Sequence, residues 1–278
     1  MFKFVCFFLF YTCFLIEASF DSHYQKLMER PLYRSVNLGV RIESLQDSGE
    51  SSLVFAANDT ELFVPASITK VLLTATVLNH FSPFYRFKTP IRTDGVIYDD
   101  VLNGNLFLVG RGDPSLDELN LIEAVLELKK IGITKIEGDI CYDLSFFGED
   151  LISLKGSARY FNTVSGPLNC RYNTIDLKIR MGKNPKVWLD PKTSYAYLNS
   201  TQLKFLPLVD QAFRPQLSYQ QFEWGDQFLI SGAVSWADYY NDYLKLLVTR
   251  PGLFTATLFK EICEKNGITV FGKVRPGR

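Results

Sequence analysis

The residues best suited to chemistry in this sequence are Ser67 and Lys70, which lie in the segment Pro-Ala-Ser-Ile-Thr-Lys at positions 65–70. A serine hydroxyl becomes an effective nucleophile only when a neighbouring base takes its proton. A lysine can be that base when burial and nearby cations lower its pKa, and residues three apart share one face of a helix. The pair therefore indicates acyl transfer, with Ser67 as nucleophile and Lys70 as base. The simpler alternative is that Ser67 caps a helix and Lys70 is solvated, because S-x-x-K is common by chance.

A helix and a hairpin are predicted to position this pair. Pro65 suits the first turn of a helix, and apolar residues recur at helical spacing over positions 71–78. Upstream, positions 37–45 alternate as in a half-buried strand, and 53–55 supply a second strand after a polar turn. The helix start would place the positive end of the helix dipole and backbone N–H groups near Ser67, where negative charge develops.

Histidine and cysteine chemistry is disfavoured. The chain has two histidines, His23 and His80, and we interpret both as structural or solvated. Beyond the first 18 residues three cysteines remain, Cys141, Cys170 and Cys263, so at most one disulfide could form within the chain. Their spacing matches no zinc-binding pattern, and buried free thiols are the expected state.

The N-terminus and the charge balance limit the location and partners of the protein. Lys3 precedes an apolar run over positions 4–16, which is too short for a comfortable membrane span and typical of a signal-peptide core. We therefore expect residues 1–18 to be a cleaved signal peptide, the protein to be exported to the periplasm, and membrane contact to occur only through that peptide. The 278 residues carry 30 basic and 30 acidic side chains, and this balance gives no support for nucleic-acid binding.

The rest of the chain alternates short strands, turns and two helices. Asp94-Gly95 and Asn103-Gly104 mark turns between short strands. The patterns then predict further elements: a strand at 106–109, a helix at 119–130 ending at Gly132, a strand at 136–142, strands and loops over 143–232, a helix at 254–265 closed by Asn266-Gly267, and a strand at 268–274.

Several of these segments together resemble one family of penicillin-binding serine acyltransferases. The resemblance is carried by these stretches: GVRI at 39–42, FAANDTELFVPASITK at 55–70, VLLTATVL at 71–78, FYRF at 84–87, GNLFLVGRGDPSL at 104–116, and the segments 131–143, 167–173 and 257–272. The sequence is similar to the D-alanyl-D-alanine carboxypeptidase/endopeptidase family of the penicillin-binding protein 4 type.

The resemblance implies an α/β fold, a serine β-lactamase/transpeptidase-like domain that is incomplete and interrupted by a β-rich insertion. The expected divisions are as follows: signal peptide 1–18, the N-terminal part of the transpeptidase-like domain 19–86, the β-rich insertion 87–245, and the return segment of the domain 246–278. It also implies a serine-type D-Ala-D-Ala carboxypeptidase that acts on peptidoglycan stem peptides through an acyl-enzyme at Ser67 and binds β-lactams. Cleavage of peptide cross-links is a further activity of such enzymes, and no cofactor or metal is implied.

Two further motifs of related enzymes, S-x-N and K-T-G, cannot be placed here. The matches Ser35-Val36-Asn37, Tyr239-Tyr240-Asn241 and Lys192-Thr193-Ser194 stand in the wrong order or lack the glycine, and the segment 159–162 lacks an acidic residue that the family places there. We therefore expect a C-terminally truncated relative that reacts poorly with β-lactams. The alternative is a catalytically inactive relative that binds the cell wall or a partner, and the oligomeric state is left open.

Two rival interpretations are weaker. A class A β-lactamase would carry S-D-N soon after the serine, and the predicted helix at 119–130 offers nothing similar. Arg111-Gly112-Asp113 spells an adhesion tripeptide, but the Gly-Asp-Pro loop of the family accounts for it better.

Overall fold

The computed structural model describes residues 19–47, 49–147, 164–180, 183–206, 215–235 and 244–278. The chain divides into two compact units, Met1–Tyr85 (unit 1) and Arg86–Arg278 (unit 2). The predicted signal peptide lies outside the described residues. In the described part of the chain, no helix is both long and apolar enough to cross a membrane.

Unit 1 contains the predicted hairpin and helix. Residues 19–28 are helical (α1), strands β1 (Val40–Leu45) and β2 (Ser51–Ala57) pair antiparallel, and a 3₁₀ turn (Ala66–Ile68) leads into helix α2 (Thr69–Phe81). Phe55 of β2 is 6% exposed, and its ring packs against Phe20 and Tyr24 of α1 at 6.1 and 5.8 Å between centroids. The hairpin and helix α1 therefore pack together through a small cluster of aromatic rings.

Unit 2 contains two four-stranded sheets. Four chain segments each give one strand to each sheet: β3 (Ile91–Thr93) and β4 (Val96–Tyr98), β5 (Val101–Asn103) and β6 (Leu106–Val109), β7 (Lys135–Ile136) and β8 (Ile140–Asp143), β15 (Thr269–Val270) and β16 (Val274–Pro276). The two sheets have matching strand orders, β15-β7-β5-β4 and β16-β8-β6-β3. The predictions of single strands at 136–142 and 268–274 were therefore wrong, because both segments break in the middle.

A row of glycines explains these breaks. A Cβ on Gly138 would lie 2.3 Å from the Gly104 carbonyl oxygen, and one on Gly272 would lie 2.2 Å from the Gly138 carbonyl oxygen. The segments thus approach so closely at this row that no side chain fits, and each segment passes there from one sheet to the other.

Carboxylate and amide side chains beside the glycine row hydrogen-bond across it. Asp94 accepts bonds from the backbone N–H and the side chain of Asn105, both at 2.7 Å. Asn105 accepts from the Asp139 N–H at 2.8 Å, and Asp139 accepts from the Lys273 N–H at 2.8 Å. The bonds from Asn105 favour the charged form of Asp94 and lower its pKa. The pKa of Asp139 is lowered first by the hydrogen bond from the Arg275 guanidinium and then by the bond from the Lys273 N–H.

The two predicted helices of unit 2 are confirmed together with their C-terminal ends, although the second begins at Pro251 and not at the predicted position 254. Helix α3 (Glu118–Lys130) starts at a capping box in which Asp117 and Asn120 bond each other's backbone N–H. Gly132 follows it with φ of 96°. Helix α4 (Pro251–Lys265) has proline in its first turn, and Gly267 follows with φ of 84°, a conformation that suits glycine.

Helix α4 supplies much of the core of unit 2. Phe254, Leu258 and Phe259 have no exposed surface, and they belong to one apolar cluster that also contains residues of the sheets and of α3. Cys141, Cys170 and Cys263 are free and buried, as predicted.

The remaining strands have these bounds: β9 Thr174–Arg180, β10 Lys186–Asp190, β11 Ala196–Leu206, β12 Gln216–Phe222, β13 Gly225–Ser235 and β14 Leu244–Leu247. They form two three-stranded sheets, β10-β9-β14 and β11-β13-β12. Within the described part of 143–232 the only helical turn is a 3₁₀ turn, Arg171–Asn173, which agrees with the predicted lack of strong helices. The residues of 87–245 and 246–278 pack in the same unit, and the predicted domain division between them stays a prediction.

A buried polar network connects the second of these sheets to α4. The Asp226 carboxylate of β13 is fully buried and accepts bonds from the Tyr195 hydroxyl at 2.7 Å and the Thr249 hydroxyl at 2.6 Å. The Tyr195 oxygen accepts the Arg250 N–H at 3.1 Å, directly before α4. Burial, together with the Asp226 charge, raises the pKa of Tyr195, so Tyr195 remains a neutral donor.

Candidate active site

The backbone before α2 forms a tight turn around Ser67. The Ile68 N–H donates to the Pro65 carbonyl at 2.9 Å, and the Thr69 hydroxyl donates to the Ala66 carbonyl at 2.7 Å. The N-cap positions are Pro65 for the 3₁₀ turn and Ile68 for α2. Ser67 is therefore not a helix cap, and its hydroxyl is available for another role.

The structure brings the two sequence-predicted site residues together. Lys70 Nζ donates to Ser67 Oγ at 3.3 Å, slightly beyond the roughly 2.6–3.2 Å over which a base takes a proton, and such catalytic contacts often shorten when substrate binds. Both side chains are exposed. The arrangement can supply a nucleophile and a base at one end of a helix.

The helix dipole favours negative charge at this point. No acidic side chain lies in the first turn of either the 3₁₀ turn or α2, so the positive end of the helix is left uncompensated by the protein. An oxyanion or a carboxylate of a substrate near Ser67 would therefore be stabilised.

Sequence reasoning missed the conformation of Ala66. Its φ is 43°, in the left-handed region where a Cβ meets steric strain of roughly 1–2 kcal/mol. The strain lies next to Ser67, and strained residues of this kind cluster at functional sites. The sequence carries no signal for it, because alanine has no preference for this region.

Charged side chains fix the loop that leads from the hairpin to the helix. Arg41 of β1 contacts Asp59 at 2.6 Å and Glu43 at 2.7 Å, and these two carboxylates raise the pKa of Arg41. Asn58 has φ of 49°, and its side chain donates to the Leu38 carbonyl at 3.1 Å. The hairpin thus holds the beginning of the segment that contains Ser67.

The other residues considered from the sequence lie elsewhere or bond differently. His23 Nδ1 lies 2.6 Å from the Ser19 carbonyl oxygen, and His80 packs edge-on against Phe81. Asn37 donates to Glu61 at 2.6 Å, and Ser194 donates to Glu261 at 2.6 Å. The segments 159–162 and 239–241 lie outside the described residues. Among the described residues no cluster of His, Cys, Asp and Glu could hold a metal ion.

A family comparison covers nearly the whole chain. A model of the D-Ala-D-Ala carboxypeptidase 3 (S13) family matches residues 22–278. The chain belongs to this family. The match includes Ser67 and Lys70, and it confirms the family that the sequence motifs resembled.

Two characterised relatives match in sequence. D-alanyl-D-alanine carboxypeptidase DacB of Haemophilus influenzae is 28% identical over 186 residues, which is 62% of this chain and 37% of that protein. Penicillin-sensitive carboxypeptidase A of Dictyostelium discoideum is 27% identical over 184 residues, 58% of this chain and 33% of that protein. The matches thus span about a third of the length of these relatives.

The solved structures confirm the fold class. The crystal structure of penicillin binding protein 4 (dacB) from Haemophilus influenzae matches with a TM-score of 0.66 at 23% identity, over 87% of this chain and 54% of that chain. The same protein complexed with a novel beta-lactam matches with a TM-score of 0.62 at 21% identity, over 87% and 52%. The chain therefore shares the α/β fold of this penicillin binding protein and spans about half the length of these structures.

Proposed function

We propose that this protein is a serine-type D-Ala-D-Ala carboxypeptidase that forms an acyl-enzyme at Ser67. The observation that carries the proposal is the Lys70 Nζ to Ser67 Oγ contact of 3.3 Å, at a helix start in a chain of the D-Ala-D-Ala carboxypeptidase 3 (S13) family. The substrate would be the D-Ala-D-Ala end of a peptidoglycan stem peptide, and export to the periplasm after removal of residues 1–18 would bring the protein to it.

The reaction follows from the two side chains. Ser67 Oγ attacks the carbonyl carbon of the penultimate D-Ala while Lys70 Nζ takes the hydroxyl proton. The peptide C–N bond then breaks, the proton passes to the leaving amine, and free D-Ala departs. Lys70 Nζ then takes a proton from water, which attacks and hydrolyses the ester, and the proton returns to the Ser67 oxygen to restore its hydroxyl.

The same steps account for two finer proposals. A β-lactam presents an amide carbonyl in a ring, so attack by Ser67 Oγ would open the ring and leave a covalent adduct. A cross-link between D-Ala and a diamino acid presents a similar carbonyl, so endopeptidase activity needs no further catalytic group, only room for a bulkier amine.

A second candidate function is non-covalent binding of the cell wall or a partner without turnover. Exposure of both Ser67 and Lys70 favours it, because a lysine base needs burial or a neighbouring cation to lower its pKa. Among the described residues, the hydrogen-bond partner of Lys70 is the neutral Ser67 hydroxyl and not a charged group.

Covalent labelling with a fluorescent penicillin distinguishes the two functions. The carboxypeptidase proposal expects slow labelling, with an adduct that maps to Ser67 by peptide mass spectrometry, and complete loss of label in Ser67→Ala. Lys70→Met would slow labelling far more than Thr69→Val, a neighbouring control. A chain that remains unlabelled at high penicillin concentration, while it sediments with peptidoglycan, would favour the binding function instead.

A further inference from the structure

The sheet β11-β13-β12 has two different faces. On one face Leu198, Phe228 and Ile230 pack into the core of unit 2. Residues of the opposite face, which we call the outer face, alternate with these along the strands. The register places Tyr197 beside Gln227 and Gln227 beside Gln220, so these three side chains form one row across the three strands.

The outer face is rich in side-chain amides and poor in charge. It carries five of them: Asn199, Gln202, Gln216, Gln220 and Gln227. Lys204 is the charged residue at the paired positions of this face, although 22% of the chain is charged. Among the described residues, no protein group hydrogen-bonds the side chains of Gln220 and Gln227.

Exposed aromatic rings accompany these amides. Tyr197 is 57% exposed and stands at one end of the row. Phe222 also belongs to the outer face, and Trp224 in the following turn stacks on it with 5.3 Å between ring centroids and 11° between planes. Trp224 is itself 47% exposed. Flat apolar surfaces are thus presented beside groups that both donate and accept hydrogen bonds.

We propose that the outer face binds a neutral glycan. A pyranose ring presents C–H groups that pack on an aromatic ring, and its hydroxyl and acetamido groups need donors and acceptors together, which side-chain amides provide. A fixed charge would lose hydration against such an uncharged ligand without gaining an ion pair. The choice of the acetylated amino-sugar strand of peptidoglycan rests on the proposed function, because that strand carries the stem peptides.

A protein partner fits this face less well. The centre of a protein–protein interface is enriched in aromatic residues, methionine and arginine and is mainly apolar. Here amides occupy the centre of the sheet instead, with Gln227 on the middle strand and Gln220 on the outer strand. Buried against a protein, each of these amides would need a matching partner.

The test measures binding of a β-1,4-linked N-acetylglucosamine hexamer by calorimetry and of peptide-free glycan strands by sedimentation. The full chain carries Ser67→Ala, so that acylation makes no contribution. Tyr197→Ala is expected to weaken binding about tenfold. The matched control is Tyr219→Ala: Tyr219 is 61% exposed but pairs with the core-facing Phe228, so it lies on the other face, and binding should change less than about twofold.

A second variant guards against a folding defect. Gln220→Glu replaces the amide by a charged side chain of similar size on the exposed outer strand. It is expected to weaken hexamer binding about fivefold. The inference is overturned if the Ser67→Ala chain does not bind the peptide-free glycan, or if Tyr197→Ala and Tyr219→Ala behave alike. It is also overturned if Tyr197→Ala abolishes self-association of the chain, because a second copy then occupies the face. If the chain binds glycan but penicillin does not label it, glycan binding by the outer face is supported, and only the carboxypeptidase proposal is contradicted.

Discussion

The two units of this protein use their apolar residues in opposite ways. In the described part of unit 1, Phe55 is the buried hydrophobic residue, whereas Leu72, Val71 and Leu73 of α2 are 73%, 67% and 62% exposed. In unit 2 the apolar residues of α4 belong to a continuous core. Helical periodicity therefore predicts where a helix lies in both units, but it does not predict what covers that helix.

The difference has a chemical consequence for the site. Ser67 and Lys70 stand at the start of the exposed helix, in the unit with few buried contacts. A large exposed apolar surface marks a place where other protein or ligand groups pack. The described residues around Lys70 thus do not supply the low dielectric that would activate a lysine base. Helix α4, in the other unit, is buried, but its start carries no Ser-Lys pair.

The largest expected effect on the free energy of unfolding comes from a substitution in the core of unit 2. Phe254→Ala removes a ring with no exposed surface that packs edge-on against Tyr195 at 5.3 Å, and it should lower the free energy of unfolding by about 3–5 kcal/mol. The matched change in unit 1, Leu72→Ala, should cost less than about 0.5 kcal/mol. Urea unfolding followed by tryptophan fluorescence measures unit 2, because Trp188, Trp224 and Trp236 all lie in its part of the sequence. Hydrogen exchange of peptides spanning residues 69–81 measures the cost of Leu72→Ala in unit 1. Equal costs for the two variants would contradict the contrast between the units.

The glycine row gives the next largest effect. Gly138→Ala would place a Cβ 2.3 Å from the Gly104 carbonyl oxygen, and because the obstacle is backbone, we expect a loss of about 3 kcal/mol. Gly132→Ala is the control: its Cβ would meet nothing within 4 Å, but its φ of 96° is strained for alanine. That control should cost about 1 kcal/mol, measured by the same urea transition. If Gly138→Ala lowers the free energy of unfolding less than Gly132→Ala does, the segments at the glycine row can move apart to admit a side chain.

The glycine row also shows how far the sequence predicts the fold. Turns were predicted at Asp94-Gly95 and Asn103-Gly104 because Asp-Gly and Asn-Gly pairs are local signals; the chain does interrupt its strands there, but as bends between strands of different sheets and not as turns. The breaks at Gly138 and Gly272 were missed because the flanking residues continue an apolar strand pattern. Only the neighbouring strands, distant in sequence, require glycine at those two positions, so local pattern could not reveal the breaks.

The candidate site was predicted to a similar extent. The spacing of Ser67 and Lys70 predicts their contact, because a helical turn brings residues three apart together. The left-handed conformation of Ala66 could not be predicted, because it depends on the path of the loop after Asn58. The exposure of α2 could not be predicted either, because it depends on which other elements pack on the helix. The motif thus indicates the chemistry, and the environment that tunes it is a tertiary property.

Alkaline pH should destabilise unit 2 through its buried thiols. Burial raises the pKa of Cys170 and Cys263 to about 12, while an unfolded cysteine titrates near about 8.5. The folded pKa is the higher one, so this stability is fully present below about pH 8.5 and is lost as pH rises toward about 12. Each thiol should account for about 2 kcal/mol of lost stability by about pH 10.

A variant of one thiol isolates this effect. Cys263→Ala should be less stable than the wild type near neutral pH because it leaves a small cavity, and the difference should shrink by about 2 kcal/mol at about pH 10. Ile262→Val, on the same helix, serves as the control, since its cost should not vary with pH. Urea midpoints at several pH values measure both, and a constant Cys263→Ala difference would contradict the thiol as the cause.

The smallest effect concerns the turn beside Ser67 and has opposite signs at two alanines of unit 1. Ala66 has φ of 43°, so Ala66→Gly should relieve strain and stabilise α2 by about 0.5–1 kcal/mol. Ala75 is exposed in the middle of the same helix, so Ala75→Gly should destabilise it by about 1 kcal/mol. Hydrogen exchange of peptides spanning residues 69–81 measures the local opening free energy, which should rise in the first variant and fall in the second. If both glycine variants open the helix, the strain at Ala66 is absent in solution. If Ala66→Gly protects the helix yet slows penicillin labelling, the left-handed turn positions the Ser67 hydroxyl at a cost in stability.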